Sequence, residues 1–139
     1  MVDKARLDQM LSNARRYLAV LEDIARIPSN QFLADSHIIG DAKYHFVIAI
    51  ECCIDVANHV IASEDLRFPK DNAESFAVLC DSGILTEDLR EPLRSMARFR
   101  NRLVHVYWDI EDGKVYEYLH GSLDDLRRFS QQIAGRFSE

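Results

Sequence analysis

The sequence predicts an all-α protein, a bundle of helices that forms a single domain over residues 1–139. Three observations support this fold class. Proline and glycine, which interrupt regular structure, are scarce, with 3 and 5 residues. Apolar residues recur at three- and four-residue spacing, the period of an α-helix. The chain has 139 residues, 47% of them hydrophobic and 29% charged, which is enough to bury a core without disulfides or metal ions.

The first two helices are predicted from their apolar patterns. Residues 3–26 are amphipathic, with apolar side chains on one face, and the segment IPSN ends this helix. The second helix begins near Ser36 or Asp41 and runs to about Ala62. It is apolar on nearly all sides, so we expect it to lie at the centre of the bundle.

Two further helices precede the predicted turn in the C-terminal half. Asn72 is the expected N-cap of a short helix that ends near Asp81. A long helix follows Thr86 and includes Tyr107. Pro92 lies about two turns into this helical pattern, where we expect it to bend or delay the helix.

The C-terminal segment combines a turn and a last helix. The dipeptide Asp112-Gly113 is typical of a turn, and the following KVYEYL has some strand character. Ser122 and Asp125 resemble a capping box, with aspartate in place of glutamate, so we expect a helix to begin after Ser122.

Composition and motifs limit the location and the class of protein. The N-terminus is charged from residue 3 onward, so no signal peptide is visible. The longest apolar stretch, FVIAIECCIDVANHVIA, is too polar and too short for a membrane span.

Two of the three cysteines are adjacent and none has zinc-ligand spacing, which indicates reduced core thiols in a cytoplasmic protein. We expect no metal ion and no cofactor. The net charge of −6 disfavours general nucleic-acid binding but allows a local basic patch.

Arg100 occupies a position where the long helix would carry an apolar side chain. On a helical wheel it lies within the apolar face, about 20° from Tyr107. A guanidinium there needs an ionic partner or a wet cleft. Glu51 and Asp55 form a polar stripe on the central helix, so they are the candidate partners. A salt bridge without a catalytic role and a functional cleft both explain this pattern.

The flank of the same helix is basic. It carries Arg90, Arg94, Arg98 and Arg102 at four-residue spacing, beside Asn101 and His105. This flank is either a solvated face paired with Glu87 and Glu91, or a strip in which Arg94, Arg98 and Arg102 contact substrate phosphates. Histidine is the side-chain type whose ordinary pKa allows acid–base catalysis near neutral pH, which makes His105 a catalytic candidate.

The segment RNRLVHVY resembles the signature of HEPN domains. In that signature an arginine and an adjacent polar residue precede a histidine, and in the HepT-like branch a tyrosine follows two residues later. The matching residues are Arg100, Asn101, His105 and Tyr107. The resemblance covers roughly half of the chain, from AIECCIDVANHVIA through SFAVLCDSGILTEDLREPLRSMARFRNRLVHVYWDI.

The resemblance implies an architecture and an activity. The architecture is a four- to five-helix, up-and-down bundle that forms a homodimer, with the motif helices of both copies lining one cleft. The activity is that of a metal-independent endoribonuclease toxin that cleaves tRNA or mRNA. Its antitoxin is MntA, a minimal nucleotidyltransferase that transfers AMP to the motif tyrosine, here Tyr107. Arg100, Asn101 and His105 are then the catalytic residues, and the ribose 2′-OH is the nucleophile.

Two other functions remain open at this stage. The chain could be a non-catalytic accessory or substrate-binding subunit of a nucleotidyltransferase, or a structural dimerisation bundle in which Arg100 is paired and Tyr107 is packed. An open cleft with Arg100 and His105 exposed favours the nuclease. A dry, fully paired Arg100 favours the structural protein.

Overall fold

Residues 1–138 fold into seven α-helices without a β-strand. The computed structural model describes these residues, except for the side chain of Tyr107. The helices are α1 (Lys4–Ala25), α2 (Ser29–Leu33), α3 (Ser36–Ser63), α4 (Asn72–Asp81), α5 (Arg90–His105), α6 (Asp112–Gly121) and α7 (Leu123–Phe137). Two 3₁₀ turns, Glu87–Leu89 and Tyr107–Asp109, flank α5. The predicted all-α bundle is confirmed.

The central helix of the bundle is α3, as its apolar sequence predicted. It packs against α1, α4 and α5. The side chain of Asp35 caps its N-terminus by accepting hydrogen bonds from the backbone N–H groups of His37 and Ile38. The length and apolar composition of α3 would also suit a membrane span, but half of its most apolar stretch is buried inside the bundle. Packing within the bundle explains its hydrophobicity.

Aromatic rings hold α5 in place next to α3 and α6. The ring of Phe99 on α5 lies edge-on to Phe46 on α3, with centroids 5.3 Å apart. Tyr118 on α6 stacks on the ring of Phe99, with centroids 3.9 Å apart. Such pairs contribute roughly 0.5–1.5 kcal/mol each beyond the burial of their area. Because Phe99 directly precedes Arg100, this packing fixes where Arg100 leaves the helix.

The start of α5 differs from the prediction. A 3₁₀ turn over Glu87–Leu89 follows Thr86, whose side chain does not cap it, and the α-helix begins at Arg90. Pro92 therefore falls in the first turn of α5, where proline is tolerated because the N–H groups of that turn have no intrahelical partner. The α-helix therefore begins later than the sequence predicted, with Pro92 in its first turn.

The end of α5 also differs, and this changes the geometry of the motif. The helix ends at His105, and Val106 adopts φ −139° and ψ 40°. Tyr107 lies in the 3₁₀ turn that follows. The prediction that Tyr107 continues the helix, about 20° from Arg100 on its wheel, is therefore wrong. The β-branched residues near this end favour the helix less than straight-chain residues do.

Two predicted caps are wrong. The cap of α4 is Asp71, whose carboxylate accepts a hydrogen bond of 2.8 Å from the backbone N–H of Glu74, and Asn72 is the first helical residue. Ser122 makes no capping hydrogen bond with its side chain. Its backbone N–H instead closes α6 by bonding to the carbonyl of Tyr118. A single residue between two helices leaves no extended position for a capping box.

The predicted turn and strand after Asp112 are replaced by α6. Val115 and Leu119 are buried, and their four-residue spacing places them on one helical face. Burial of this helical face outweighs the β propensity of KVYEYL, because strand preference depends strongly on tertiary context.

Candidate active site

The guanidinium of Arg100 points from α5 towards α3, where Glu51 holds it. Nε and Nη2 both donate to Glu51 Oε1, at 3.1 Å and 2.5 Å. The side chain of Arg100 is 20% exposed and that of Glu51 is 42% exposed. The ion pair is therefore present within one chain, but it is open to water on the carboxylate side.

Asn101 completes the immediate surroundings of Arg100. Its Oδ1 accepts a hydrogen bond of 2.9 Å from Nη1 of Arg100. A guanidinium has five N–H groups, and three of them make the bonds to Glu51 and Asn101, which leaves two for another acceptor. The side-chain NH₂ of Asn101, which is exposed, can also donate to that acceptor. Arginine and asparagine together thus present donors suited to an anion such as phosphate.

Asp55, the second candidate partner of Arg100, lies one turn further along α3 and is exposed. Burial of part of the carboxyl raises the pKa of Asp55, and the charge of Glu51 raises it further, while the charge of Arg100 acts in the opposite direction. The guanidinium therefore influences both carboxylates, but the hydrogen bonds go to Glu51.

His105 is exposed at the C-terminal end of α5. The helix is regular from Arg90 to His105, so Arg100 and His105 leave it about 140° apart. One copy of the helix does not direct both side chains at the same phosphate. The sequence reasoning anticipated this divergence for an ideal helix, and the structure does not remove it by a local distortion.

The four arginines of the basic flank differ in their partners. Arg90 is bound by Asp81 at 2.6 Å and by Glu87. Arg94 and Arg98 both lie near Glu91, at 3.2 Å and 3.7 Å. Arg102 is exposed, and it forms no ion pair within the described part of the chain. Pairing therefore decreases along the helix, and the least compensated positive charge lies near His105.

Tyr107 follows α5 directly, in the 3₁₀ turn Tyr107–Asp109. The predicted AMP acceptor is its hydroxyl group, and that side chain lies outside the described residues. The backbone alone places Tyr107 two residues after His105 at the end of the motif helix.

The cysteines are free thiols, and two of them, Cys53 and Cys80, are buried. Burial raises the pKa of Cys80 to about 11 and raises the pKa of Cys53 as well, so both thiols are protonated at neutral pH. In the described residues, no group of three or more His, Cys, Asp or Glu side chains is arranged to hold a metal ion.

Sequence reasoning missed a hollow that lies directly after the motif. It has a volume of about 510 Å³ and is lined by Lys43, Trp108, Asp109, Ile110, Glu111 and Asp112. Trp108 is 72% exposed. The sequence signal for this region is a tryptophan next to the acidic segment DIED, although the sequence does not show that Lys43 lies beside it.

An all-α bundle with an arginine–histidine motif at the end of a long helix defines a HEPN-type domain. Residues 14–133 match the model of the Ribonuclease HepT-like family, and the chain belongs to this family. It is 32% identical to the mRNA nuclease HepT of Shewanella oneidensis over 104 residues, which cover 75% of this chain and 78% of that protein.

Another relative and a solved structure are consistent with this assignment. The tRNA nuclease HepT of Aphanizomenon flos-aquae is 26% identical over 120 residues, which cover 85% of this chain and 80% of the relative. The tri-AMPylated HEPN toxin of S. oneidensis, solved in complex with its MNT antitoxin, superposes with a TM-score of 0.86 at 24% identity. That superposition covers 97% of this chain and 99% of the toxin, and it shows a shared fold.

Proposed function

We propose that this protein is an endoribonuclease toxin that cleaves RNA without a metal ion. The observation that carries the proposal is the arrangement around Arg100, which Glu51 anchors and Asn101 contacts, five residues before the exposed His105. The two HepT relatives are named as nucleases of mRNA and tRNA, which supports the same class of reaction. Arg100, Asn101 and His105 are the catalytic residues in this proposal.

The chemistry uses the substrate's own ribose 2′-OH as the nucleophile. A neutral His105 removes the proton from this hydroxyl as its oxygen bonds to phosphorus. The bond from phosphorus to the 5′-oxygen then breaks, and the same histidine, now protonated, gives its proton to the leaving oxygen. The products are a 2′,3′-cyclic phosphate and a free 5′-OH. The two remaining N–H groups of Arg100 stabilise the charge that develops on the phosphate oxygens.

The proposal places the reaction in a cleft between two copies of the chain. Arg100 and His105 diverge by about 140° along one regular helix, so a second α5 is needed to bring an arginine and a histidine to one phosphate. Exposed apolar side chains near this end of the molecule, Tyr44 and Val104, are suited to contact between copies.

The RNA backbone on either side of the cut is held by arginines of the basic flank. Arg102 is the strongest candidate because it is exposed and forms no ion pair in the described structure. Arg94 and Arg98 share Glu91, so part of their charge is available to phosphates. Arg90 is held by two carboxylates, and we assign it a structural role.

We infer that a nucleotidyltransferase antitoxin of the MntA type silences this nuclease by modifying Tyr107. The transfer forms a bond between the Tyr107 oxygen and the phosphorus of AMP, and it releases pyrophosphate from ATP. The S. oneidensis toxin with the same fold is tri-AMPylated and bound to an MNT antitoxin, which supports this inference. A phosphodiester beside the motif adds bulk and negative charge where the substrate phosphate would bind. We therefore propose that the protein acts in the cytoplasm, where the antitoxin and the RNA substrates are made.

Cleavage of tRNA and mRNA by the purified protein in EDTA tests the proposal. The wild type is expected to produce fragments with 2′,3′-cyclic phosphate ends, and His105→Ala and Arg100→Ala are expected to produce none. His37→Ala removes another exposed histidine and is the matched control, with activity close to the wild type. Circular dichroism melts check that the variants are folded.

Other results of this experiment would change the conclusion. Activity that EDTA abolishes and a divalent ion restores would replace the metal-independent mechanism. Absence of cleavage by a wild-type sample that carries no AMP by intact mass would favour the alternative function, a non-catalytic accessory or substrate-binding subunit of a nucleotidyltransferase.

A further inference from the structure

A hollow next to the motif helix combines an exposed aromatic side chain with charged groups. Trp108 is 72% exposed and lies three residues after His105. It shares the hollow with Lys43 of α3 and with Asp109, Glu111 and Asp112. An exposed indole ring offers a flat aromatic surface on which a nucleobase can stack. The hollow is a depression of about 510 Å³ that is open to solvent, so a flat base can lie against its wall.

The charges of the hollow favour a base over the sugar–phosphate backbone. Lys43, the single cation among the lining residues, lies 3.7 Å from Asp112, which offsets part of its charge. Asp109 and Glu111 add two further carboxylates that repel phosphate. The basic residues Arg94, Arg98 and Arg102 lie instead on the α5 flank. RNA bound at the motif would therefore turn a base, and not a phosphate, towards Trp108.

Carboxylates also discriminate among the bases. An ionised carboxylate only accepts hydrogen bonds, so it favours a base edge with N–H donors. Guanine presents two adjacent donors, N1–H and the N2 amino group, which match the two oxygens of one carboxylate. Adenine, cytosine and uracil each present a single donor group next to an acceptor on the Watson–Crick edge. Stacking on an aromatic ring is available to all four bases and adds affinity without selectivity.

We propose that this hollow is a nucleobase pocket in which guanine stacks on Trp108 and donates to Asp109 or Glu111. The role of this pocket in cleavage rests on the proposed function: the pocket would select RNA in which a guanosine neighbours the phosphate that is cut at His105. Nucleotide binding itself does not depend on that activity. Trp108 and the two carboxylates are specificity-determining residues of the same site.

Tryptophan fluorescence gives a direct test, because Trp108 is the single tryptophan of the chain. The full-length protein is titrated separately with GMP, AMP, CMP and UMP. We expect GMP to quench the emission saturably, with half-maximal quenching at a concentration at least fivefold lower than for the other three nucleotides.

Two variants test whether the carboxylates of the hollow recognise the edge of the base. The double variant Asp109→Asn/Glu111→Gln removes both charges and should bring the half-maximal concentrations of the four nucleotides to within about twofold of each other. Glu117→Gln removes an exposed carboxylate that lies outside the hollow, and it should keep the preference for GMP.

Several outcomes overturn the proposal. One is the absence of quenching by any nucleotide, and another is equal quenching by all four in the wild type. Emission that shifts to shorter wavelength as the protein concentration rises, without any response to nucleotides, assigns Trp108 to contact between copies. If GMP binds but no RNA is cleaved, the pocket stands and the nuclease function fails. If RNA is cleaved but GMP does not bind, the pocket alone fails.

Discussion

Arg100 and Glu51 are joined through a single carboxylate oxygen. Oε1 of Glu51 accepts from both Nε and Nη2 of Arg100, so one side of the guanidinium is fixed against α3. A third N–H group donates to Asn101, and the other two are left for another acceptor. In the proposed mechanism Glu51 is therefore a positioning residue for Arg100, in addition to joining α3 and α5.

Replacing Glu51 by glutamine should reduce RNA cleavage more than it reduces stability. Glu51→Gln keeps the shape but removes the charge that strengthens these hydrogen bonds. We expect kcat to fall about tenfold, which corresponds to about 1.4 kcal/mol of transition-state stabilisation, with KM nearly unchanged. The free energy of unfolding should fall by less than about 1 kcal/mol, because the carboxylate is 42% exposed. Single-turnover kinetics and urea denaturation measure the two effects.

Asp55→Asn is the matched control, since it removes a neighbouring carboxylate that does not hold the guanidinium. It should leave kcat within about twofold of the wild type. Equal losses in both variants would show that only the net charge of α3 matters. A faster Glu51→Gln enzyme would show that Glu51 restrains Arg100 instead of positioning it.

The same Asp55→Asn variant should be more stable than the wild type at pH 7. Burial and the charge of Glu51 raise the pKa of Asp55, so its ionised form is less favourable in the folded state than in the unfolded chain. The stability of the wild type therefore falls as the pH rises from the ordinary carboxyl pKa of about 4 through the raised value. Melting temperatures at pH 4 and pH 7 measure the difference, and a variant that is less stable at pH 7 would contradict the sign.

Asp81→Asn should have the opposite dependence on pH. Hydrogen bonds from Arg67, and then from Arg90, lower the pKa of Asp81. The stabilisation is complete above the ordinary carboxyl pKa of about 4 and is lost as the pH falls through the lowered value. The urea midpoint of the wild type should therefore drop between pH 5 and pH 2 more steeply than that of the variant. Parallel curves for the two proteins would disprove the assignment.

Arg102→Ala should weaken RNA binding, and Arg90→Ala should not. Each phosphate contact of a single-stranded RNA contributes about 0.7 to the slope of log affinity against log salt, and we expect Arg102→Ala to reduce that slope by about this amount. Arg90 is bound by Asp81 and Glu87, so its removal should lower the melting temperature and leave the slope unchanged. Fluorescence anisotropy at several salt concentrations, in catalytically inactive His105→Ala protein, measures both. An unchanged slope for Arg102→Ala would remove this residue from the RNA-binding surface.

The helices that bury a regular apolar face could be predicted from the sequence, whereas the positions of their ends could not. The buried residues of α1 recur every three or four positions, and this period is visible in the sequence. In α6, Val115 and the nearby tyrosines suggested a strand, because local preference is weaker than tertiary packing. The sequence predicts that the helix continues through Tyr107, because nothing in the apolar pattern marks the change of backbone at Val106.

The candidate site was predictable where its residues share one helix or one polar stripe. In the sequence, Arg100 is a charge on an otherwise apolar helical face, and Glu51 is a charge on the apolar central helix. The choice between Glu51 and Asp55 needed coordinates, since both lie on the same stripe one turn apart. The hollow at Trp108 could not be found from spacing because Lys43 reaches it from a distant part of the sequence.

Mixing two inactive variants tests most directly the central claim that two copies of the chain form one RNA-cleaving cleft. Arg100→Ala and His105→Ala are each expected to be inactive alone. After subunit exchange at equal concentrations, half of the dimers contain both variants, and one of their two symmetry-related sites keeps Arg100 from one copy and His105 from the other. The account predicts recovery of about a quarter of the wild-type cleavage rate. No recovery at any mixing ratio, with an active wild type and confirmed exchange, would show that the two residues act within one chain and would contradict the shared cleft.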